Sequence, residues 1–233
     1  MPVTALARKS PTTTAAMLAS AASTQSPSAI AQPVGWLHLG RRVDNRPESL
    51  ATWRVTTSQL SVAAAVADHF VVATADAAAA EDDEIEVMTR TPTMRIIVNT
   101  EAITVDMRRW GQGRLVHHCD GAAFLSPPTA AGSPCGCPRS MADRKALAKA
   151  GRGPHPSVTV DCRLAQAPGL GMFRFQSASW KLAESLPTVR AALAATGGEA
   201  LCELAIRRVD VPIGGGSHLA YRMPALTVLG PWG

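Results

Sequence analysis

Cysteine is scarce in this chain, with five among 233 residues. A small, odd count excludes the disulfide framework of a small secreted domain, and clustered thiols in a reducing compartment read more naturally as metal ligands. A cytoplasmic setting is therefore expected. No run of 18 apolar residues occurs, and the Ala-rich stretches are too short and too interrupted to span a bilayer. Dense Lys/Arg tracts are missing too. The formal charge of +5 is spread along the chain, which falls short of a dedicated nucleic-acid binder. No G-x-S-x-G elbow is present, and "GGG" at 214–216 is followed by neither a helix start nor the lysine of a phosphate-binding loop. His69 has no nucleophile beside it, and His38 and His218 read as solvated strand-edge residues. No convincing catalytic set emerges from these residues. What remains is ample: 46% of the residues are hydrophobic, enough for a sizeable core.

Acidic residues are absent up to Val43, where Ser, Thr and Ala dominate. Residues 1–33 accordingly read as a disordered leader, although the composition overlaps with that of a transit peptide. A first α+β region is expected over 34–109. "GWLHLGRRV" has no clear alternation, whereas "TWRVTTS" places Trp53 and Val55 on one face of a strand. Ser58 can cap a helix over "SQLSVAAAVADHF", with Leu60, Ala64 and Ala67 on its apolar face. "EDDEIE" at 81–86 reads as a solvated loop, and "IEVMTR" with "TMRIIVN" as a pair of strands.

Regular pattern gives out over 110–155, the loop region that holds most of the Cys and His residues. Within it Ser140 and Asp143 resemble a capping box for a short basic helix that Gly151 can close. A second α+β region follows over 156–233. "SVTVDCRL" and "GMFRFQS" read as strands joined by a Pro/Gly turn. The helical segment after them should break at Pro187 and end at Gly197, since a proline ring in a helix interior costs about 3 kcal/mol. "EALCELAIRRVDV" and "HLAYRMPALTVL" then form a closing hairpin. The class is α+β, with mostly antiparallel sheets, a few helices and a zinc-stabilised central loop. Trp110 and Trp180, beside Arg109 and Lys181, are expected to be core anchors with snorkelling neighbours.

The sequence's main peculiarity is "HHCDG" at 117–121 followed by "CGCP" at 135–138. A structural Zn²⁺ takes four ligands in a tetrahedron, and its binding energy can order a loop with too little apolar area to order itself. Cys119, Cys135 and Cys137 are three candidates, and Gly136 lets the C-x-C pair bend toward one point. For the fourth, His155 is favoured because it lies in an extended loop between Gly153 and Pro156; Cys162, His117 and His118 remain alternatives. Cys162 and Cys202 have the surroundings of buried, inert thiols. Asp120 is expected to turn the chain through its side-chain hydrogen bonds rather than to act as a base.

With these residues in view, the sequence resembles the recombination directionality factors that partner large serine integrases in temperate phages of high-GC bacteria. The resemblance runs from about Gly35 to Val228. It rests on "LHLGRRV" with "RPESLATWRVTT", on "CDG" followed by "CGCP", on "HPSVTVDCRLAQAPGLGMFRFQS", and on "LAIRRVDVP" with "YRMPALTV" near the end. Where the family pattern has a Cys before the "P-x-x-T" strand start, this chain has Pro154 and His155, which is a further reason for favouring His155. The resemblance implies a non-enzymatic regulator in the cytoplasm of a bacterial host. Such a factor binds its integrase directly, reaches DNA only through it, and biases how its coiled-coil arms pair, so that attL recombines with attR. The basic helix "DRKALAKAGR", with Arg144, Lys145 and Lys149, is the expected partner-binding element. Two other readings compete with this one, a metal-dependent hydrolase and a zinc-stabilised nucleic-acid-binding protein.

Overall fold

In a computed structural model of the protein, the described residues are 32–44, 46–70, 85–214 and 217–233. Residues 32–233 form one compact unit. The expected leader and most of the acidic run at 81–86 lie outside the described residues.

Eleven strands and three α-helices are seen among the described residues, interspersed as expected of an α+β protein. The strands are β1 (Gly35–Val43), β2 (Arg46–Thr57), β3 (Ile85–Met88), β4 (Thr93–Val98), β5 (Ile103–Gly111), β6 (Arg114–Cys119), β7 (Phe124–Ser126), β8 (His155–Leu164), β9 (Phe173–Ser177), β10 (Ala200–Gly214) and β11 (Ser217–Pro231). The helices are α1 (Leu60–Phe70), α2 (Met141–Lys149) and α3 (Trp180–Thr196). The main path of the sheet runs β11-β10-β4-β8-β9-β1-β2-β3, and β5, β6 and β7 branch from β8. Every described pair is antiparallel except β1 with β9.

β3 and β4 do not pair with each other, contrary to the sequence expectation. β3 lies on β2, and β4 lies between β10 and β8. Five strand spacings separate β3 from β4 along the sheet, about 24 Å if it were flat. The chain from Met88 to Thr93 can reach only about 18 Å. The sheet must therefore curl. Trp53 sits inside the curl, where it is fully buried and meets Phe175 edge-to-face with ring centroids 5.4 Å apart. Its indole N–H donates to Pro92 O at 3.0 Å, and its backbone exchanges hydrogen bonds with Thr89. One side chain thus fastens the connection that crosses from one side of the sheet to the other.

The helices close the core. In α1 the buried face is Val62, Ala63, Val66 and Phe70, while Leu60 is 75% exposed. The helix is where the sequence places it, but its face is turned from the one expected, because an almost wholly apolar helix carries too little polar contrast to fix a direction. At its start the Gln59 N–H donates to Thr57 Oγ1 at 3.1 Å. α3 passes through Pro187 without the expected break. Pro187 is exposed, and Leu182, Ala183, Leu186, Val189 and Leu193 form one buried face on both sides of it. Burying those residues offsets a local cost of about 3 kcal/mol. The helix ends at Gly197 as expected, and α2 has the anticipated cap, with the Asp143 N–H donating to Ser140 Oγ at 3.0 Å.

Replacing Pro187 with Ala restores a backbone donor and relieves the ring's clash without exposing or filling core. The gain should be about 1–2 kcal/mol after the loss of proline's unfolded-state restriction, read as a rise of a few degrees in Tm.

Candidate metal centre

The region where the sequence pattern fails is a three-stranded antiparallel meander of β5, β6 and β7. Gln112 and Gly113, both at positive φ, turn β5 back into β6. The sequence hides this hairpin because a glutamine stands where Asn or Asp is the usual signal.

β5 lies between β8 and β6, and its ladders set the faces of the meander. Met107 pairs with Pro156 on one side and Cys119 on the other; Arg108 pairs with His155 and His118. Directly opposed residues share a face, and neighbours along a strand alternate. Cys119 and His117, two apart on β6, therefore share the face of Met107. His118 and His155 lie on the opposite face. His155, the residue expected to be the fourth donor, lies outside the cluster of donor atoms: it is exposed, held in the β8 ladder, with its ring 6.1 Å from that of Trp180. His117 takes the place beside the thiols. An H-x-C spacing signals this once the segment is known to be a strand.

The donor atoms of His117, Cys119, Cys135 and Cys137 all lie within 4.8 Å of one another. The Sγ atoms of Cys119 and Cys137 are 3.7 Å apart, and His117 Nε2 is 3.1 Å from Cys119 Sγ and 3.4 Å from Cys137 Sγ. A tetrahedron with metal–sulfur bonds of about 2.3 Å has sulfur–sulfur edges of about 3.8 Å and sulfur–nitrogen edges of roughly 3.6 Å. The four side chains can thus hold a metal ion, and their number fills a tetrahedron. Burial pushes the Cys119 thiol up to about 12 and also raises Cys137. Burial acts the same way on Cys135, but hydrogen bonds from the Cys137 backbone and the neighbouring thiols outweigh it, and its net shift is downward. Burial, reinforced by Arg109, lowers His117 and favours the neutral imidazole that ligates metals. A divalent cation bound there would allow three crowded thiols to ionise together.

The loops around the donors are fixed by polar contacts. Asp120 Oδ1 accepts from the N–H groups of Ala122 and Ala123 at 2.7 and 2.8 Å, the turn-forming role expected of it. Those backbone donors hold its carboxyl below the usual range. Gly136 bends the C-x-C pair at φ +72°. Arg144 of α2 donates through Nε to Pro138 O at 2.6 Å and through Nη2 to Gly121 O at 2.8 Å, bracing both cysteine loops at once. Gly121 has φ +98°, and a Cβ there would run into the Arg144 guanidinium.

On the opposite face His118 lies 3.2 Å from Asp106 Oδ2 and 2.9 Å from Ser126 Oγ, tying β5, β6 and β7 together, while Arg108 grips the same aspartate in a fork. Sequence reading did not find this chain of contacts, whose members are spread from Asp106 to Ser126. Other expectations also change. Trp110 is 63% exposed and is no core anchor, Trp180 is half-buried, and His38 bonds to Thr56 Oγ1 at 3.0 Å rather than standing in solvent. Cys162 and Cys202 sit in the core as expected. Lys145 pairs with Glu184 at 3.5 Å, and Lys149 is exposed.

The class defined by these features is an α+β scaffold whose curled sheet carries a Cys/His-clustered meander. The chain belongs to the Gp3-like family, described as recombination directionality factor-like, whose model matches residues 34–226. No solved structure matches the chain. The family is one of recombination regulators. Among the described residues no helix is long and apolar enough to cross a membrane.

Two substitutions separate the ligand assignments. His117→Ala should weaken zinc binding by more than tenfold in competition with a chromophoric chelator, whereas His155→Ala should leave it unchanged. Gly121→Ala should cost at least about 1–2 kcal/mol in denaturant unfolding, since it forces an alanine into positive φ and displaces Arg144.

Proposed function

We infer that this protein is a recombination directionality factor that binds a large serine integrase in the bacterial cytoplasm and turns it from integration to excision, so that attL recombines with attR. The single observation that carries the reading is the family match over most of the chain. The geometry supports it in two ways. Four protein donors leave a tetrahedral ion no open position for water, which fits a structural zinc held by His117, Cys119, Cys135 and Cys137 better than a catalytic one. The meander organised by that cluster also presents Trp110, Val116 and Leu125 to solvent, each at least 46% exposed, as a docking platform does.

Such a regulator needs no chemistry of its own. A factor that binds one synaptic arrangement about 3 kcal/mol more tightly than the other shifts the balance roughly a hundredfold. Lys145 and Lys149 are the basic residues of α2 assigned to partner contact. Arg144 contributes by holding the platform together, because both sides of its guanidinium are committed to loop carbonyls.

The test is recombination in vitro with purified integrase and attL and attR substrates. Excision should appear only when the protein is added, and it should be lost in Cys119→Ser/Cys137→Ser. Lys145→Glu/Lys149→Glu should weaken integrase binding about tenfold while zinc content is kept. An integrase that neither binds the protein nor changes its choice of sites refutes the reading. Turnover of a generic phosphoester that stops on metal removal while the fold survives would point to a hydrolase instead.

A further inference from the structure

β10 pairs with β4 only as far as Ala205 and then continues with β11 alone, forming a two-stranded ribbon about 25 Å long. Its two faces differ sharply in chemistry. Register places Val209 opposite Tyr221 and Val211 opposite Leu219 on one face, with Met223 opposite Arg207 at the base, while Ile213 stands at an irregularity near the tip. The other face carries Arg208 opposite Arg222, Asp210 opposite Ala220, and Pro212 opposite His218. On this face Arg222 Nη1 donates to Ser49 O at 3.1 Å, while the Arg208 and Asp210 side chains stay exposed. The apolar face is open, with Leu219 52% exposed, Val211 38% and Tyr221 37%, and Ile213 at the tip is 61% exposed. Alternation in both strands has gathered these side chains into one stripe, and a contiguous stripe, unlike scattered apolar residues, marks an interaction surface.

We propose that this ribbon face is the docking surface for an amphipathic α-helix of a partner protein whose apolar stripe is flanked by acidic residues. Two strands about 4.8 Å apart with their side chains make a strip roughly 10 Å wide, the width of a helix. Charge selects among occupants. Between 207 and 223 three arginines stand against one aspartate, so an acidic helix is attracted, and a second copy of the ribbon would bring like charges together. An apolar face is also poorly suited to the DNA backbone. An added strand is disfavoured, because Pro212 has no N–H and interrupts the row of donors. Identifying the partner as the integrase rests on the functional reading above; the helix-binding chemistry does not.

The experiment uses the full chain and a synthetic helical peptide with leucines at i, i+3, i+4 and i+7 and flanking glutamates, beside a scrambled peptide of the same composition. The wild-type chain should bind the helical peptide at least tenfold more tightly than the scrambled one. Val211→Glu/Leu219→Glu should abolish that preference, and Arg207→Glu should weaken binding with a reduced salt dependence. Both apolar positions are solvent-exposed, so thermal melting should be nearly unchanged; Val211→Thr/Leu219→Thr, which keeps strand propensity, should lose at least threefold even if the glutamate variant misfolds. Equal binding of the two peptides overturns the proposal. So does a concentration-dependent dimer, or binding to bare duplex DNA, that is lost in the glutamate variant without any peptide preference in the wild type. With integrase as the probe, capture by wild type and glutamate variant alike also overturns it, whereas failure of the wild type to capture integrase refutes the functional reading and leaves the peptide result to decide the ribbon.

Discussion

The antiparallel ladder of β5 on β8 is the constraint on which the rest of the molecule depends. β8 is a core strand, with Val158, Val160 and Leu164 fully buried, and it pairs with β9, β4 and β5. Through the pairing of Met107 with Pro156 and Cys119, the ladder carries the core's facing into the meander and decides which side chains of β6 turn inward. A slip of one residue would exchange His117 and Cys119 for His118 and Val116, dissolving the donor cluster. The buried surface on β8 makes such a slip costly.

Beyond that ladder the chain has little apolar material to pack. From 126 to 138 proline, glycine, serine and alanine predominate, and hydrophobic burial alone cannot order such a stretch. Its order comes instead from converging polar groups. Asp120 shapes the first cysteine turn, Arg144 holds the carbonyls of Gly121 and Pro138, and the thiols and imidazole meet behind them. A metal ion bound there would couple all of these contacts, so losing the ion or the arginine should loosen the same surface.

A regulator that works by differential binding needs rigid, separated contact surfaces more than it needs a cleft. The meander and the long β10–β11 ribbon both present exposed apolar residues outside the core. The curled sheet beneath them, fastened by Trp53 and closed by α1 and α3, provides the stability that lets exposed apolar residues stay in place.

Much of this architecture was legible in the sequence. The Ser140 cap of α2, the strands around Trp53 and Val160, the β8–β9 turn and the closing hairpin all follow from local rules, and the three cysteines announced themselves by their crowding. Other features were decided by contacts between distant segments. The partners of β3 and β4 follow from sheet curvature, the continuity of α3 through Pro187 from burial on both sides, and the inward face of α1 from what it packs against. The choice of His117 over His155 belongs to the same group. The sequence alone determined that three thiols crowd into one short segment, a set that could hold a metal ion. Only the tertiary structure settled which histidine lies beside them, because side-chain alternation acts on a histidine's face only after its strand and register exist.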